Sequence, residues 1–169
     1  ADPAQIAARF QPLGASEAAY RRRRPTGAPL DLLADLSSDR TFLWPAMQLA
    51  EAACGPVFAY QFNWAPPGSR FHACHCIELP FVFGNFPSWP DAGMLAGGDP
   101  AEMQALSAAI RAAWAAFIIH GDPSLSGLPW PRYDASRRLT MQLDRVIGVA
   151  GDPAGMNSRR LPSRTRARA

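Results

Sequence analysis

Lysine is absent from this 169-residue sequence, so all 17 basic residues are arginine. A surface built for one electrostatic task rarely excludes lysine altogether, and with abundant alanine and proline the bias reads as a coding preference. Cysteine is scarce: Cys54, Cys74 and Cys76 form an odd, sparse set that does not read as a secreted disulfide framework. No run approaches the ~20 apolar residues of a membrane span, and the N-terminus lacks the basic stretch and apolar stretch of a secretory signal. These absences lean toward a cytoplasmic location, although the chain opens on Ala1, which suggests processing or a missing front that could have carried a signal. Net charge is only +3, part of it in two arginine runs, Arg21–Arg24 and Arg159, Arg160, Arg164, Arg166 and Arg168. Either could touch nucleic acid or a membrane, but no aromatic residues interleave with them. They read as a solvated helix end and a polar tail, with neither nucleic acid nor membrane as partner.

What is present is enough apolar sequence for a core, 48% of the residues. Asp2-Pro3 opens a short helical stretch over residues 2–10. Ser16 caps a segment from Glu17 to Arg24, a third helix starts near Pro29, and a fourth starts at Ser37 or Ser38. Pro45 lies inside that fourth segment and predicts a kink or a helix start. Residues 56–63 form the clearest strand, apolar enough to predict burial on both faces. Asp99, Pro100 and Glu102 open the best helix, over residues 100–119, as a capping box. Met103, Leu106, Ile110, Ala113, Trp114, Phe117 and Ile118 share one of its faces. Residues 139–143 and 146–149 predict two further strands, and from about Gly151 the sequence turns polar and is expected to be disordered. The order of elements points to α/β. One good strand and two weak ones cannot cover these helix faces, so the central sheet is expected to be incomplete.

The chemistry concentrates in Phe71-His72-Ala73-Cys74-His75-Cys76-Ile77-Glu78-Leu79-Pro80-Phe81-Val82-Phe83-Gly84, a loop after the buried strand. Loops at strand C-terminal ends line the active sites of open α/β sheets. A histidine there suits general-base work, because its unperturbed pKa of ~6.5 lies near working pH. The run from His75 to Gly84 resembles the segment around the catalytic histidine of type-B carboxylesterases. The likeness extends from Asp39, Phe42 and Val57-Phe58-Ala59-Tyr60-Gln61-Phe62 to Trp114, Phe117, Gly121-Asp122-Pro123 and Trp130-Pro131-Arg132-Tyr133. It covers about residues 28–145. It implies the C-terminal portion of an α/β-hydrolase over residues 1–150, mostly helical with a few strands, followed by a disordered arginine-rich tail over 151–169. It also implies that His75 is the base of a catalytic triad and that Glu78 holds the loop through hydrogen bonds. Cys76 departs from the family, which favours a small residue there. No cofactor and no metal are implied, and the substrate is a small-molecule carboxylic ester.

In such hydrolases the nucleophilic serine and the acid precede the histidine, the serine within Gly-x-Ser-x-Gly. No such motif occurs in these 169 residues. Gly14-Ala15-Ser16-Glu17-Ala18 comes nearest, and Ser16 reads as a helix cap. Asp31, Asp35 and Asp39 lie in helical contexts, and no His-Gly-Gly segment supplies oxyanion-hole amides. The expectation is therefore a chain carrying His75 but not its partners, which needs the missing N-terminal part of the same fold and is inactive alone. Its alternative is a degenerate, non-catalytic hydrolase module acting through protein–protein contact. His72, Cys74, His75 and Cys76 also invite a zinc reading, but adjacent residues cannot all converge on one tetrahedral ion. His72 reads as a rim residue and His120 as a helix C-terminal residue favoured by the dipole.

Overall fold

The computed structural model describes residues 17–153, with positions 5 and 8 as isolated points. The expected helix over 2–10, Ser16 as a cap and the tail beyond residue 153 lie outside the described residues. Gly151, where disorder was expected to begin, closes a strand. The chain divides into two compact units, separated after Cys54.

The first unit is helical. Helix α1 (Glu17–Arg23) buries Tyr20 against Leu32 and Leu36 of α2 (Pro29–Ser38). Asp31 sits three residues into α2 and its carboxylate accepts from the Ala28 N–H at 3.1 Å, satisfying an orphan donor at the helix start. The arginine run does not form a free basic patch. Arg21 pairs with Glu17 at 2.6 Å, Arg24 with Asp35 at 3.5 Å, and Arg23 with the buried Asp39 at 3.4 Å. After α2 the helix widens into a π-helical turn, Asp39–Leu43, and continues as α3 (Trp44–Ala52). The Trp44 N–H bonds the Asp39 carbonyl five residues back. Pro45, in the first turn of α3, lacks an N–H and would press on the carbonyl four residues before it. The wider turn just ahead absorbs that conflict, so the proline marks a helix start.

The second unit runs from Gly55 to Gly151. Strand β1 (Ala59–Phe62) pairs parallel with β2 (Leu139–Leu143), which pairs antiparallel with β3 (Gly148–Gly151). Between β1 and β2 lie α4 (Leu79–Phe83), a single 3₁₀ turn (Phe86–Ser88) and α5 (Pro100–His120). The sheet is open and three-stranded among the described residues. Burial on both faces of β1 does not hold: Tyr60 and Gln61 are exposed, because among the described residues β1 is an edge strand paired only with β2. The predicted third strand begins at Gly148, two residues later than the sequence suggested.

Asp99 caps α5 through hydrogen bonds from the Ala101 and Glu102 N–H groups at 2.8 and 3.0 Å. The reciprocal half of the expected capping box is replaced by tertiary contacts. The Glu102 carboxylate accepts from Trp64 Nε1 and from Arg145 Nε. The first half of the predicted apolar face is buried, through Met103, Leu106, Ile110 and Ala113, but Phe117 and Ile118 are exposed. At 21 residues α5 has the length and composition of a membrane span, which the sequence reading did not expect, yet its buried face belongs to the core. That core gathers Trp64, Ile77, Phe81, Ile110, Met141 and Leu143, all at most 4% exposed.

Candidate active site

The histidine loop leaves β1 at Phe62 and is tied into short turns. The Asn63 and Trp64 N–H groups bond the Leu143 carbonyl, the Ser69 N–H bonds Pro66, and the His72 N–H bonds Ser69. The Ile77 N–H then donates to the Cys74 carbonyl at 3.2 Å, closing a four-residue turn with His75 and Cys76 at its corner. Cys76 has φ +70°, the left-handed conformation that the third residue of a type II turn requires. His75 is exposed at the tip of this turn.

The residues after His75 are anchored. Ile77 is 1% exposed, and Phe81 in α4 is fully buried with its ring 4.8–5.1 Å from Phe62, Trp64 and Phe86. Pro80 occupies the first turn of α4, where a missing N–H costs no helical bond. Gly84 closes α4 at φ +62°, and a Cβ there would meet the Arg111 guanidinium at 2.7 Å. Ser107 of α5 donates from Oγ to the Phe81 carbonyl at 2.7 Å, fastening α4 to α5. The result is a rigid base carrying an exposed imidazole. The run from His75 to Gly84 thus separates into one exposed chemical group and a set of anchors.

Glu78 sits at the N-terminal boundary of α4, and its backbone carbonyl accepts from the Phe81 and Val82 N–H groups. Its carboxylate makes no side-chain hydrogen bond among the described residues, so the expected hold on the loop comes from the backbone carbonyl and not from the side chain. Partial burial pushes the Tyr60 phenol above its ordinary pKa, and the Glu78 charge pushes the same way. His72 is exposed at φ +51°, and His120 ends α5 ahead of the Gly121 cap. Asp31, Asp35 and Asp39 belong to the first unit, paired with arginines there. The three cysteines are free thiols, and no group of three or more His, Cys, Asp or Glu among the described residues is placed to hold a metal ion.

One feature escaped the sequence reading. Phe71 and Cys74 of the loop face the segment Ser88–Met94 across an open hollow of about 550 Å³. The Trp89-Pro90-Asp91-Ala92-Gly93 stretch carries no motif that marks it in the sequence. Only folding brings Met94 Sδ within 3.9 Å of Cys74 Sγ.

Residues 17–155 match the model of the carboxylesterase family. The chain is 35% identical over 129 residues to a para-nitrobenzyl esterase of Bacillus subtilis, covering 75% of this chain and 26% of that protein. It is 33% identical over 130 residues to a phenmedipham hydrolase of Pseudarthrobacter oxydans, covering 74% of this chain and 25% of that protein. A solved PNB esterase structure superposes with a TM-score of 0.74 at 30% identity, over 96% of this chain and 34% of that one. The chain therefore spans about a quarter of the length of these curated relatives. The architecture is that of an α/β-hydrolase with an open sheet. With the family model matched across both units and the likeness carried in sequence and in space, this chain belongs to the carboxylesterase family.

Proposed function

We propose that this chain supplies the general-base histidine, His75, of a serine-type hydrolase of small carboxylic esters. The observation that carries the reading is an exposed imidazole at the tip of a tight turn whose next residues, Ile77 and Phe81, are locked in the core. A base must hold its position through two proton transfers, and such anchoring supplies that. In the first half-reaction the imidazole accepts the serine hydroxyl proton as the oxygen attacks the ester carbonyl. The imidazolium then protonates the departing alkoxide, leaving an acyl-serine and a free alcohol. In the second half-reaction the same nitrogen takes a proton from water, and the acid product leaves as the serine is reprotonated.

The serine, the acid that orients the imidazole and the oxyanion-hole amides come from polypeptide outside these 169 residues, since no Gly-x-Ser-x-Gly occurs within them. The 169-residue chain alone is accordingly inactive. Glu78 acts as a support of the loop through its backbone carbonyl, which accepts from the Phe81 and Val82 N–H groups. The substrate class is that of the para-nitrobenzyl esterase it resembles, an esterase by name.

The test uses a polypeptide that contains this chain together with the coding sequence preceding it. Such a protein is expected to hydrolyse para-nitrophenyl acetate and to be labelled by a fluorophosphonate. His75→Ala is expected to lower kcat by at least ~10³-fold and to suppress the labelling. Full hydrolysis by the His75→Ala variant would remove His75 from the reaction. If neither the parent nor the variant hydrolyses or takes up the label, the reading passes to a non-catalytic module working through protein contact.

A further inference from the structure

Two soft donors, 20 residues apart in the chain, meet beside the histidine turn. The Cys74 thiol on the loop donates to Met94 Sδ on the facing segment, sulfur to sulfur at 3.9 Å. Both residues line the open hollow, whose other walls include Phe71, Trp89 and Pro90, and Asp91 is its only charged lining residue. The two segments are held where they stand. Trp89 Nε1 donates to Asn85 Oδ1 at 3.2 Å, which sets the indole. The backbone at Gly93 comes so close to Phe71 that a Cβ there would stand 3.3 Å from the ring. The base chemistry uses neither sulfur.

We infer that Cys74 and Met94 form a binding site for a soft monovalent metal ion, copper(I) or silver(I), as a thiolate–thioether pair. The donor types select the ion. Thiolate and thioether sulfurs favour soft ions, whereas magnesium and calcium need several oxygen donors, and the lining side chains offer only Asp91 and Ser88. A borderline ion such as zinc has no ligand set either, since no three His, Cys, Asp or Glu converge among the described residues. The separation suits one shared ion: with metal–sulfur bonds of ~2.3 Å, sulfurs 3.9 Å apart subtend about 116° at the metal, between the tetrahedral and trigonal angles. That angle leaves a further position for a solvent donor on the open side of the hollow. On binding, the metal replaces the thiol proton, which passes to solvent; Met94 adds a lone pair, and no oxidation state changes. The thiolate cancels the charge of the ion, so the apolar walls face a neutral centre. The bridge fastens the loop to the segment Ser88–Met94 one residue before His75. It draws nothing from the imidazole and stands apart from the reading of His75 as the base.

The probe is silver(I), buffered with imidazole in chloride-free solution, and the protein is the polypeptide that contains this chain with its preceding sequence. Alkylation by N-ethylmaleimide is read for each cysteine by peptide fragmentation in the mass spectrometer. The exposed thiol of Cys54 serves as the reference for a single sulfur. The silver concentration that halves alkylation of Cys74 is expected to rise by about tenfold or more in Met94→Leu, with that for Cys54 unmoved. Cys76→Ser is expected to leave the Cys74 value where it was. A shift of less than about threefold in Met94→Leu means capture by the Cys74 thiol alone and overturns the inference. A tenfold shift in Cys76→Ser would move the site to a dithiol and overturn it equally. A second measurement needs no variant, so it holds if Met94→Leu fails to fold. Silver(I) is expected to slow conversion of Met94 to its sulfoxide by hydrogen peroxide, because a coordinated thioether has no lone pair left to attack the peroxide. Equal oxidation of Met94 with and without silver overturns the site. Neither readout involves hydrolysis, so a fully active His75→Ala variant would remove the base and leave the metal site standing.

Discussion

Cys76 holds the most demanding backbone conformation next to the chemistry. At φ +70° a Cβ costs about 1–2 kcal/mol, a strain that glycine escapes. Cys76→Gly is therefore expected to raise stability in urea by up to about 1 kcal/mol, after the added freedom of glycine in the unfolded chain is subtracted. A loss of stability in that titration would show that the half-buried thiol packs better than its strain costs. Asp134 is a second residue set by its immediate surroundings. A hydrogen bond from the Ser136 hydroxyl, with others from the Arg137 backbone and guanidinium, lowers its pKa from 3.8 to about 2. A depressed carboxylate favours the native state above its unfolded pKa, and that contribution is lost as pH falls through about 2. NMR titration is expected to place the Asp134 midpoint near that value, and Ser136→Ala should move it upward. A midpoint unmoved by Ser136→Ala would assign the shift to the Arg137 contacts instead.

Among the elements, α4 is too short to be stable alone and depends on its fastenings. Ser107 supplies one of them from the buried face of α5, where a serine looks out of place among Met103, Leu106 and Ile110. Ser107→Ala leaves the Phe81 carbonyl without its partner and is expected to destabilise the protein by about 1–3 kcal/mol. Backbone amides of residues 79–84 should lose hydrogen-exchange protection before those of α5. Uniform loss across both helices would mean that α4 does not open as its own unit. The Glu102 contacts belong to the same scale. Sequence patterning made Glu102 half of a capping box, a local device, whereas the fold uses it to join Trp64 after β1 to Arg145 after β2. Sequence separations of 38 and 43 residues carry no local signal, so a pairing of that kind is invisible before the chain folds.

Across the whole molecule, apolar surface remains uncovered at the end of α5 and along β1. Ile118 is 79% exposed, Ile119 70%, Phe117 47% and Tyr60 46%. An apolar patch of this kind promotes association. The 169-residue chain is expected to scatter light increasingly with concentration, and Ile118→Lys with Ile119→Lys should suppress that. The new charges lie in the last turn of α5, where the helix dipole favours cations. Scattering unchanged by the double substitution would place the sticky surface elsewhere.

The sequence by itself determined α1, α2, α3, α5 and the three strands, the cap at Asp99 and the parallel-prone strand before the loop, but not α4, which lies in what read as a loop, nor the π-helical and 3₁₀ turns. The features it determined arise from near-neighbour chemistry: capping, side-chain periodicity and a compact motif. Tertiary structure alone decided which residues of that motif are anchors and which is presented to solvent. It also decided that Glu102 and Ser107 bridge elements, that Arg23 and Arg24 are spent on aspartates of α2 and the turn after it, and that Cys74 and Met94 meet across a hollow. Those outcomes depend on contacts between residues far apart in the chain, which form only when the core around Phe81 closes and brings its elements into register.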